Sequence, residues 1–310
     1  MPSTPPRATR LRPASAPAPA PASPASPIVK WVGGKTRLLP EIAARMPRTY
    51  GRYFEPFAGG AAVFFSMAPR AAVLADRNAD LITTYRAVAT DAEGVIRRLA
   101  IHREAHNEQH YYAMRARWND AGVAWTPIDR AAAFIYLNRT CYNGLWRVNR
   151  SGAFNVPMGR YKNPPICDAD GLRAAARVLA QAKLVCADYR TAVADARAGD
   201  LIYFDPPYDP VTPTASFVSY TAGAFGPDDQ RALATLAHEL ADRGVAVVLS
   251  NSDTPFVRSL YRGLRIDRVR CARAINCNAD RRGEVDELIV LGGFATRAAR
   301  RTVARSSAAR

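Results

Sequence analysis

The sequence is short of histidine and cysteine and has no long apolar run, and each shortage argues against a class of function. Its 310 residues include 4 histidines and 5 cysteines. Cys141, Cys167, Cys186, Cys271 and Cys277 fall without C-x-x-C spacing, so neither a zinc site nor a disulfide framework is indicated; they read as reduced, mostly structural thiols. His102, His106 and His110 recur at helical spacing, but a solvated helix face accounts for that pattern, and no metal is expected. No stretch reaches the ~20 consecutive apolar residues of a membrane-spanning helix, and the N-terminus lacks the apolar core of a secretory signal. No membrane partner is therefore expected, and the expected location is cytoplasmic.

Acidic residues are missing from both ends. Residues 1–27 hold Arg7, Arg10 and Arg12 with no acid, and Arg297–Arg310 holds five arginines with none. About half of the net charge of +16 therefore sits in the tails. So basic a chain favours a polyanionic partner such as nucleic acid. The first 27 residues are almost all Pro, Ala and Ser, too poor in large apolar groups to offset the entropy of ordering. They are expected to be disordered, as is the basic tail 296–310.

Between the tails, short apolar runs alternate with helical patterns. Tyr53–Phe54, Ala72–Ala75, Leu184–Cys186, Leu201–Phe204 and Val245–Ser250 read as buried strands. Asp228–Arg243, with Leu233, Leu236, Ala237 and Leu240 at helical spacing, reads as an amphipathic helix. Such alternation implies an α/β fold with a parallel sheet covered by helices. No crossover helix separates Leu264–Val269 from Glu287–Leu291, so the final strand is expected to run antiparallel. One span lacks buried strands: helical patterns over Gly94–Ala105, Tyr111–Trp118 and Ile128–Asn138 lead into the aromatic, arginine-rich stretch Asn138–Tyr161. Residues 85–164 are thus read as an inserted lobe, and 28–84 with 165–295 as the main domain.

The sharpest motif is Leu201-Ile-Tyr-Phe-Asp205-Pro206-Pro207-Tyr208, an apolar strand ending in an acid, two prolines and an aromatic ring. Open α/β sheets bind ligands beyond the carboxyl ends of their strands. Consecutive prolines stiffen the turn, so that the Asp205 carboxylate and the Pro206 carbonyl can point at one spot. Two acceptors suit an amine with two N–H donors, as adenine or cytosine presents. Tyr208 would stack on the base. The plain alternative is a strand-terminating turn. A second motif, Glu55-Pro-Phe57-Ala-Gly59-Gly60, carries a strand through glycines into an apolar helix, and tight packing alone explains it about as well as a ligand does. The next strand ends in Asp76, 21 residues beyond Glu55, where a carboxylate commonly binds ribose hydroxyls. No Gly-Lys-Ser/Thr follows the glycines, which argues against a triphosphate and for an adenosyl cofactor without phosphates.

Five segments in order complete the pattern: Lys30-Trp31-Val-Gly33-Gly34-Lys35, Glu55-Pro-Phe57-Ala-Gly59-Gly60, Asn138-Arg-Thr-Cys-Tyr142-Asn143-Gly144-Leu145-Trp-Arg147-Val-Asn149, Phe154-Asn-Val-Pro157-Met-Gly-Arg160-Tyr161 and Asp205-Pro-Pro-Tyr208. Together they resemble the Dam-type (D12 class) DNA adenine-N6 methyltransferases. The resemblance implies a Rossmann-like, S-adenosylmethionine-dependent methyltransferase fold with an inserted, mainly helical DNA-recognition lobe containing a hairpin. It implies that Asp205, Pro206, Pro207 and Tyr208 are catalytic, and that Trp31, Lys35, Glu55, Phe57, Gly59, Gly60, Asp76, Asp188 and Asp205 surround S-adenosylmethionine. It assigns Lys30, Tyr142, Asn143, Leu145, Arg147, Pro157, Arg160 and Tyr161 to double-stranded DNA. Without it, Asp188 is a helix N-cap before Thr191, Lys30 a solvated charge and the hairpin a loop with solvated arginines. Ala61 departs from the family, many of whose members have glycine there.

The implied activity is methylation of the N6 amine of a flipped adenine in GATC or a GAT-containing site. A restriction endonuclease would be a functional partner only, and the enzyme a monomer or weak dimer. Two rivals remain: methylation of RNA or a protein amide, which the Tyr142–Tyr161 hairpin disfavours, and a DNA-binding regulator without catalysis, which the intact Asp205-Pro-Pro-Tyr208 disfavours.

Overall fold

The computed structural model describes residues 24–210, 225–272 and 284–294. Residues 1–23 of the N-terminal tail, the basic tail 296–310 and Cys277 lie outside the described residues. Residues 24–27 are placed: Ala25 packs against the core, and the Pro27 carbonyl accepts from Arg139 Nη2 at 3.2 Å. The N-terminal boundary at residue 27 therefore shifts inward, because the largely buried Arg139 guanidinium needs backbone acceptors there.

Seven described strands form one sheet: β1 (Tyr53–Glu55), β2 (Ala72–Asp76), β3 (Ala182–Cys186), β4 (Leu201–Phe204), β5 (Ala246–Ser252), β6 (Arg265–Ala272) and β7 (Glu284–Gly292). Their order is β3-β2-β1-β4-β5-β7-β6. The first five run parallel, and β7 enters antiparallel between β5 and β6, as the missing crossover predicts. Alternation sorts the strands' side chains onto two faces. Tyr53, Leu201 and Tyr203 join one apolar cluster, whereas Phe54, Ile202 and Phe204 join the other. Both faces of the central strands β1, β2, β4 and β5 are buried, so these read as continuous apolar runs, whereas β3, expected to be buried, is half-exposed because it is an edge strand.

Helices α1 (Leu39–Arg45), α2 (Ala62–Met67) and α3 (Ala79–Glu104) belong with the first cluster. α3 is two helices joined at a kink: at Asp91 the backbone leaves helical geometry (φ −146°, ψ 75°), and the Asp91 carboxylate caps the restart by accepting from Gly94 N–H at 2.7 Å. The pattern read as starting at Gly94 is that second half. α4 (Glu108–Asn119) and α5 (Pro127–Thr140) follow, then the hairpin and α6 (Ala169–Leu179), all between β2 and β3. α7 (Tyr189–Val193), α8 (Pro227–Asp242) and α9 (Pro255–Leu260) cover the opposite face. Pro127, Pro227 and Pro255 each open a helix, where a missing N–H costs nothing.

The three histidines are not a solvated face. His102 of α3, His106 of the α3–α4 connection and His110 of α4 surround the Tyr136 ring of α5; His102 and His110 are hydrogen-bonded at 3.1 Å, and His106 Nδ1 lies 3.0 Å from the Tyr136 hydroxyl. Burial and the neighbouring His110 push His102 down to about 4. Residues eight apart in sequence met because α4 folds back on α3, which periodicity on one helix does not reveal. Among the described residues no group of His, Cys, Asp and Glu is arranged to hold a metal, and no helix is long and apolar enough to cross a membrane.

Candidate active site

The strand order reverses between β1 and β4, and the carboxyl ends of these two neighbours define a crevice. β1 ends in Glu55, and β4 runs directly into Asp205. Lys35, delivered by the segment ahead of α1, is 8% exposed and forms an ion pair with Asp205 Oδ1 at 2.6 Å. Its ammonium also donates to the Gly33 carbonyl at 2.7 Å and lies 4.5 Å from the centroid of the Tyr208 ring. Ser250 of β5 donates to Asp205 Oδ1 at 3.0 Å, and Tyr203 meets the Ser250 hydroxyl at 2.9 Å. Burial outweighs the Lys35 charge and raises the Asp205 pKa.

Glu55 is buried and accepts from the Tyr53 hydroxyl. Burial, reinforced by the Asp205 charge, pushes its carboxyl up to about 8. At neutral pH it is thus mostly protonated, and the Lys35 ammonium is left to balance Asp205.

The turn after Asp205 is clamped from below. Pro206 is buried and Pro207 exposed, and the Pro207 carbonyl accepts from Gln230 Nε2 of α8 at 2.8 Å. Gln230 in turn accepts from Asn251 Nδ2 at 3.0 Å. Ser252 Oγ donates to the Asp209 carbonyl at 2.7 Å, and Thr254 Oγ1 to the Asp209 carboxylate at 2.8 Å. Gln230 thus takes the carbonyl of Pro207 and not that of Pro206, the acceptor assigned to an amine. The Tyr208 hydroxyl donates to Glu287 of β7 at 2.8 Å.

Beside this turn lie the residues assigned to the cofactor. Gly59 has φ +45°, and a Cβ there would come within 2.6 Å of the Trp31 ring, so the glycine lets Trp31 close over the β1–α2 turn. Ala61 holds the left-handed conformation (φ 53°, ψ 37°) without being glycine, so the departure from the family leaves the turn intact at the cost of strain. Gly60 is buried beneath Trp31 and Val29. Asp76 accepts from the Gly59 and Asn78 N–H groups at 2.9 and 2.8 Å, and burial raises its pKa. Phe57 stacks on Tyr189 at 5.3 Å and meets Phe225 edge-on at 5.7 Å. Asp188 caps α7, accepting from the Arg190 and Thr191 N–H groups, which lowers its pKa, the Thr191 bond most.

The residues assigned to DNA gather on the hairpin and on Lys30. Asn138 of α5 is fully buried and clasps the Lys30 backbone, accepting its N–H at 2.7 Å and donating to its carbonyl at 2.8 Å. Gly144 (φ +65°) has room only for hydrogen, since a Cβ would come within 2.5 Å of Lys30 carbons. The Lys30 ammonium lies 4.1 Å from the centroid of the Tyr161 ring. Isolated bridges Cys141–Met158 and Val148–Phe154 make the hairpin, and Asn149 closes its tip by accepting from Ser151 and Ala153 N–H groups. Trp146 stacks on Phe154 at 4.5 Å and meets the tilted Phe134 ring at 4.0 Å, anchoring the hairpin base. Above that base Tyr142, Asn143, Arg147, Pro157 and Arg160 are exposed and Leu145 half-buried. Arg147 Nε bonds Asn155 Oδ1 at 3.0 Å.

Sequence reasoning missed the supports: Ser250, Asn251, Gln230, Glu287, Tyr189 and the clasping role of Asn138. The run Ser250-Asn251-Ser252 at the end of an apolar strand was a usable signal, because a polar triplet at a ligand-facing strand end needs partners. Nothing local marks Gln230 or Glu287.

A seven-stranded sheet in this order, with an acid-Pro-Pro-Tyr turn at its switch point, has the architecture of a methyltransferase. The family model for D12 class N6 adenine-specific DNA methyltransferases matches residues 31–275. Similar proteins include the type II methyltransferase M1.LlaDCHI of Lactococcus lactis subsp. cremoris, 39% identical over 267 residues that cover 85% of this chain and 94% of the relative. The DNA adenine methylase of Serratia marcescens is 39% identical over 266 residues, covering 85% and 97%. The type II methyltransferase M.MjaIII of Methanocaldococcus jannaschii is 38% identical over 283 residues, covering 86% and 98%. The chain belongs to the D12 class N6 adenine-specific DNA methyltransferases.

Proposed function

We propose that this chain transfers a methyl group from S-adenosylmethionine to the N6 amine of an adenine turned out of duplex DNA, within GATC or a GAT-containing site. One observation carries the reading: Lys35, from the N-terminal segment, meets Asp205 and Tyr208 of the proline turn at the switch point of the sheet, beside the exposed end of that turn. The neighbouring groups suit the cofactor chemically. Carboxylates (Asp76, Asp188) suit hydroxyl and amine donors, the Phe57 and Tyr189 rings suit a purine, and the turn lacks the lysine that a triphosphate would need.

When bound, S-adenosylmethionine supplies the electrophilic methyl carbon. The chain's own residues prepare the amine. Asp205 and the Pro206 carbonyl accept its two N–H bonds, drawing the nitrogen lone pair out of conjugation with the ring, and Tyr208 stacks on the base. Lys35 opposes the effect of burial on Asp205 and so favours its charged, stronger-accepting form. No protein nucleophile is required, since the methylated nitrogen is acidic enough to shed its proton to Asp205 or water. Lys30, Arg147 and Arg160 are the readers of guanine, while Leu145 and Pro157 face a thymine methyl. The hairpin and the DNA-assigned residues it carries act within the recognition lobe, 85–164, and Lys30 of the main domain joins them. The test is to express the protein in cells stripped of their own adenine methylases and map methylated adenines by sequencing. Modification centred on GATC or a GAT-containing motif is expected; a motif without GAT rejects the specificity, and no adenine methylation rejects the activity.

A further inference from the structure

Tyr208 is held from three sides, and one holder has no part in the mechanism above. The backbone on either side of it is tied down, by the Gln230 bond to the Pro207 carbonyl and by the Ser252 and Asn251 bonds to the Asp209 carbonyl and N–H. One face of its ring is covered by the Lys35 ammonium at 4.5 Å. Its hydroxyl donates to Glu287 Oε2 at 2.8 Å. Glu287 lies within β7, paired with Ser252 of β5 on one side and Val269 of β6 on the other, so two ladders set its position. A tyrosine with a fixed backbone still swings about its two side-chain torsions, and an anchor at the tip removes that freedom.

We propose that Glu287 is a positioning residue for methyl transfer: by accepting the Tyr208 hydroxyl it sets the tilt of the ring on which the target adenine stacks. The inference rests on the reading of Tyr208 as the stacking partner. With Lys35 over one face, a base can use only the other, and the anchored tip holds that face in one plane beside Asp205. A carboxylate suits the task because an O–H···O⁻ bond is shorter and stronger than a neutral one. It also carries a cost. The Glu287 charge works against ionisation of Asp205, the acceptor the amine needs. A carboxylate that only filled space here would be a liability, whereas one that fixes Tyr208 offsets that cost with geometry.

Single-turnover methylation of a short duplex decides the matter, using wild type, Glu287→Ala, Glu287→Gln, Tyr208→Phe and the Glu287→Ala/Tyr208→Phe double variant of the full chain. Losing the bond from either end should slow transfer about ten- to hundredfold while DNA affinity changes less than about threefold. The double variant should be no slower than the slower single one, because both remove the same bond. Glu287→Gln, which still accepts through its amide oxygen, should stay within about fivefold of wild type. Additive losses, a glutamine variant as slow as the alanine one, or a Glu287→Ala enzyme at wild-type rate each overturn the proposal. If Glu287→Ala does not fold, Tyr208→Phe decides alone, and a wild-type rate in it overturns the proposal. Wild type that methylates no adenine rejects the functional reading itself; active wild type with an indifferent Glu287→Ala rejects only this inference.

Discussion

Around Asp205 the order lies in the side chains themselves: Lys35, Ser250, Tyr203, Tyr208 and Glu287 are linked by ion pair, hydrogen bonds and a ring contact, and most are buried. In the hairpin 142–161 the order lies beneath the side chains. Trp146 and Phe154 are packed into the core, Asn149 closes the tip, and Arg147, Pro157 and Arg160 stand in solvent. The difference follows from the two tasks. A reacting amine must meet acceptors that are already oriented, because reorganisation at the moment of reaction adds to the barrier. A base sequence must be met by groups that water can leave and DNA can replace, so they remain exposed until used.

That contrast can be broken at either end. The largest effect belongs to the pocket: Asp205→Ala should lower turnover by at least about a thousandfold while DNA and S-adenosylmethionine affinities stay within about tenfold. Single-turnover rates and titrations check both halves, and turnover above about a tenth of wild type removes Asp205 from the chemistry. Next comes the hairpin base. Phe154→Ala opens a cavity among aromatic rings and should cost ~3–5 kcal/mol in denaturant unfolding. Its S-adenosylmethionine affinity should stay within about threefold of wild type, since the pocket draws its order from elsewhere; loss of cofactor affinity would mean the two regions are one unit.

A third test uses the buried Glu55. Its carboxyl is raised to about 8 in the folded protein, against about 4.3 in an unfolded chain. Between those values the folded state keeps a proton that the unfolded state has released, so stability falls as pH rises toward 8. Glu55→Gln removes this dependence. Its Tm should exceed that of wild type by several degrees near pH 9 and approach it near pH 5, and parallel Tm curves over that range would reject the buried-acid account. Smaller again is Arg147→Ala, which should lose ~1–3 kcal/mol of discrimination at one base pair of the site. Uniform weakening on all sequences would make Arg147 a phosphate contact instead. Smallest is Ala61→Gly, which relieves a left-handed alanine and should stabilise the fold by about 0.5–1 kcal/mol with little change in rate. Calorimetry reads the gain; a loss of stability would mean that the Ala61 methyl contributes more through packing than its backbone strain costs.

Most of the sheet was legible because its central strands are apolar on both faces and several end in residues of marked chemistry. The antiparallel β7 followed from a missing crossover, and Asp205 and Asp76 from their places at strand ends. What could not be read was anything set by two distant segments meeting. The Tyr136 environment of His102, His106 and His110 needs α4 to fold back on α3. The Glu287 bond to Tyr208 spans 79 residues, and the Asn138 clasp on Lys30 spans 108. Asp188 shows the reverse case, since its capping of α7 was legible from Asp188 and Thr191 alone.

The segment from Lys30 to Lys35 touches the hairpin turn at one end, the glycine turn through Trp31, and the Asp205 carboxylate at the other end. It limits what can be exchanged between relatives. A transplanted hairpin that puts any side chain at position 144 pushes on Lys30, and a displaced Lys30 pulls Trp31 from Gly59 and Lys35 from Asp205. The portable part is the tip beyond Trp146, together with Arg147 and Arg150, which it carries. On the proposed reading, the base met by Lys30 stays with the main domain, so swapping tips would rewrite only part of a recognition sequence.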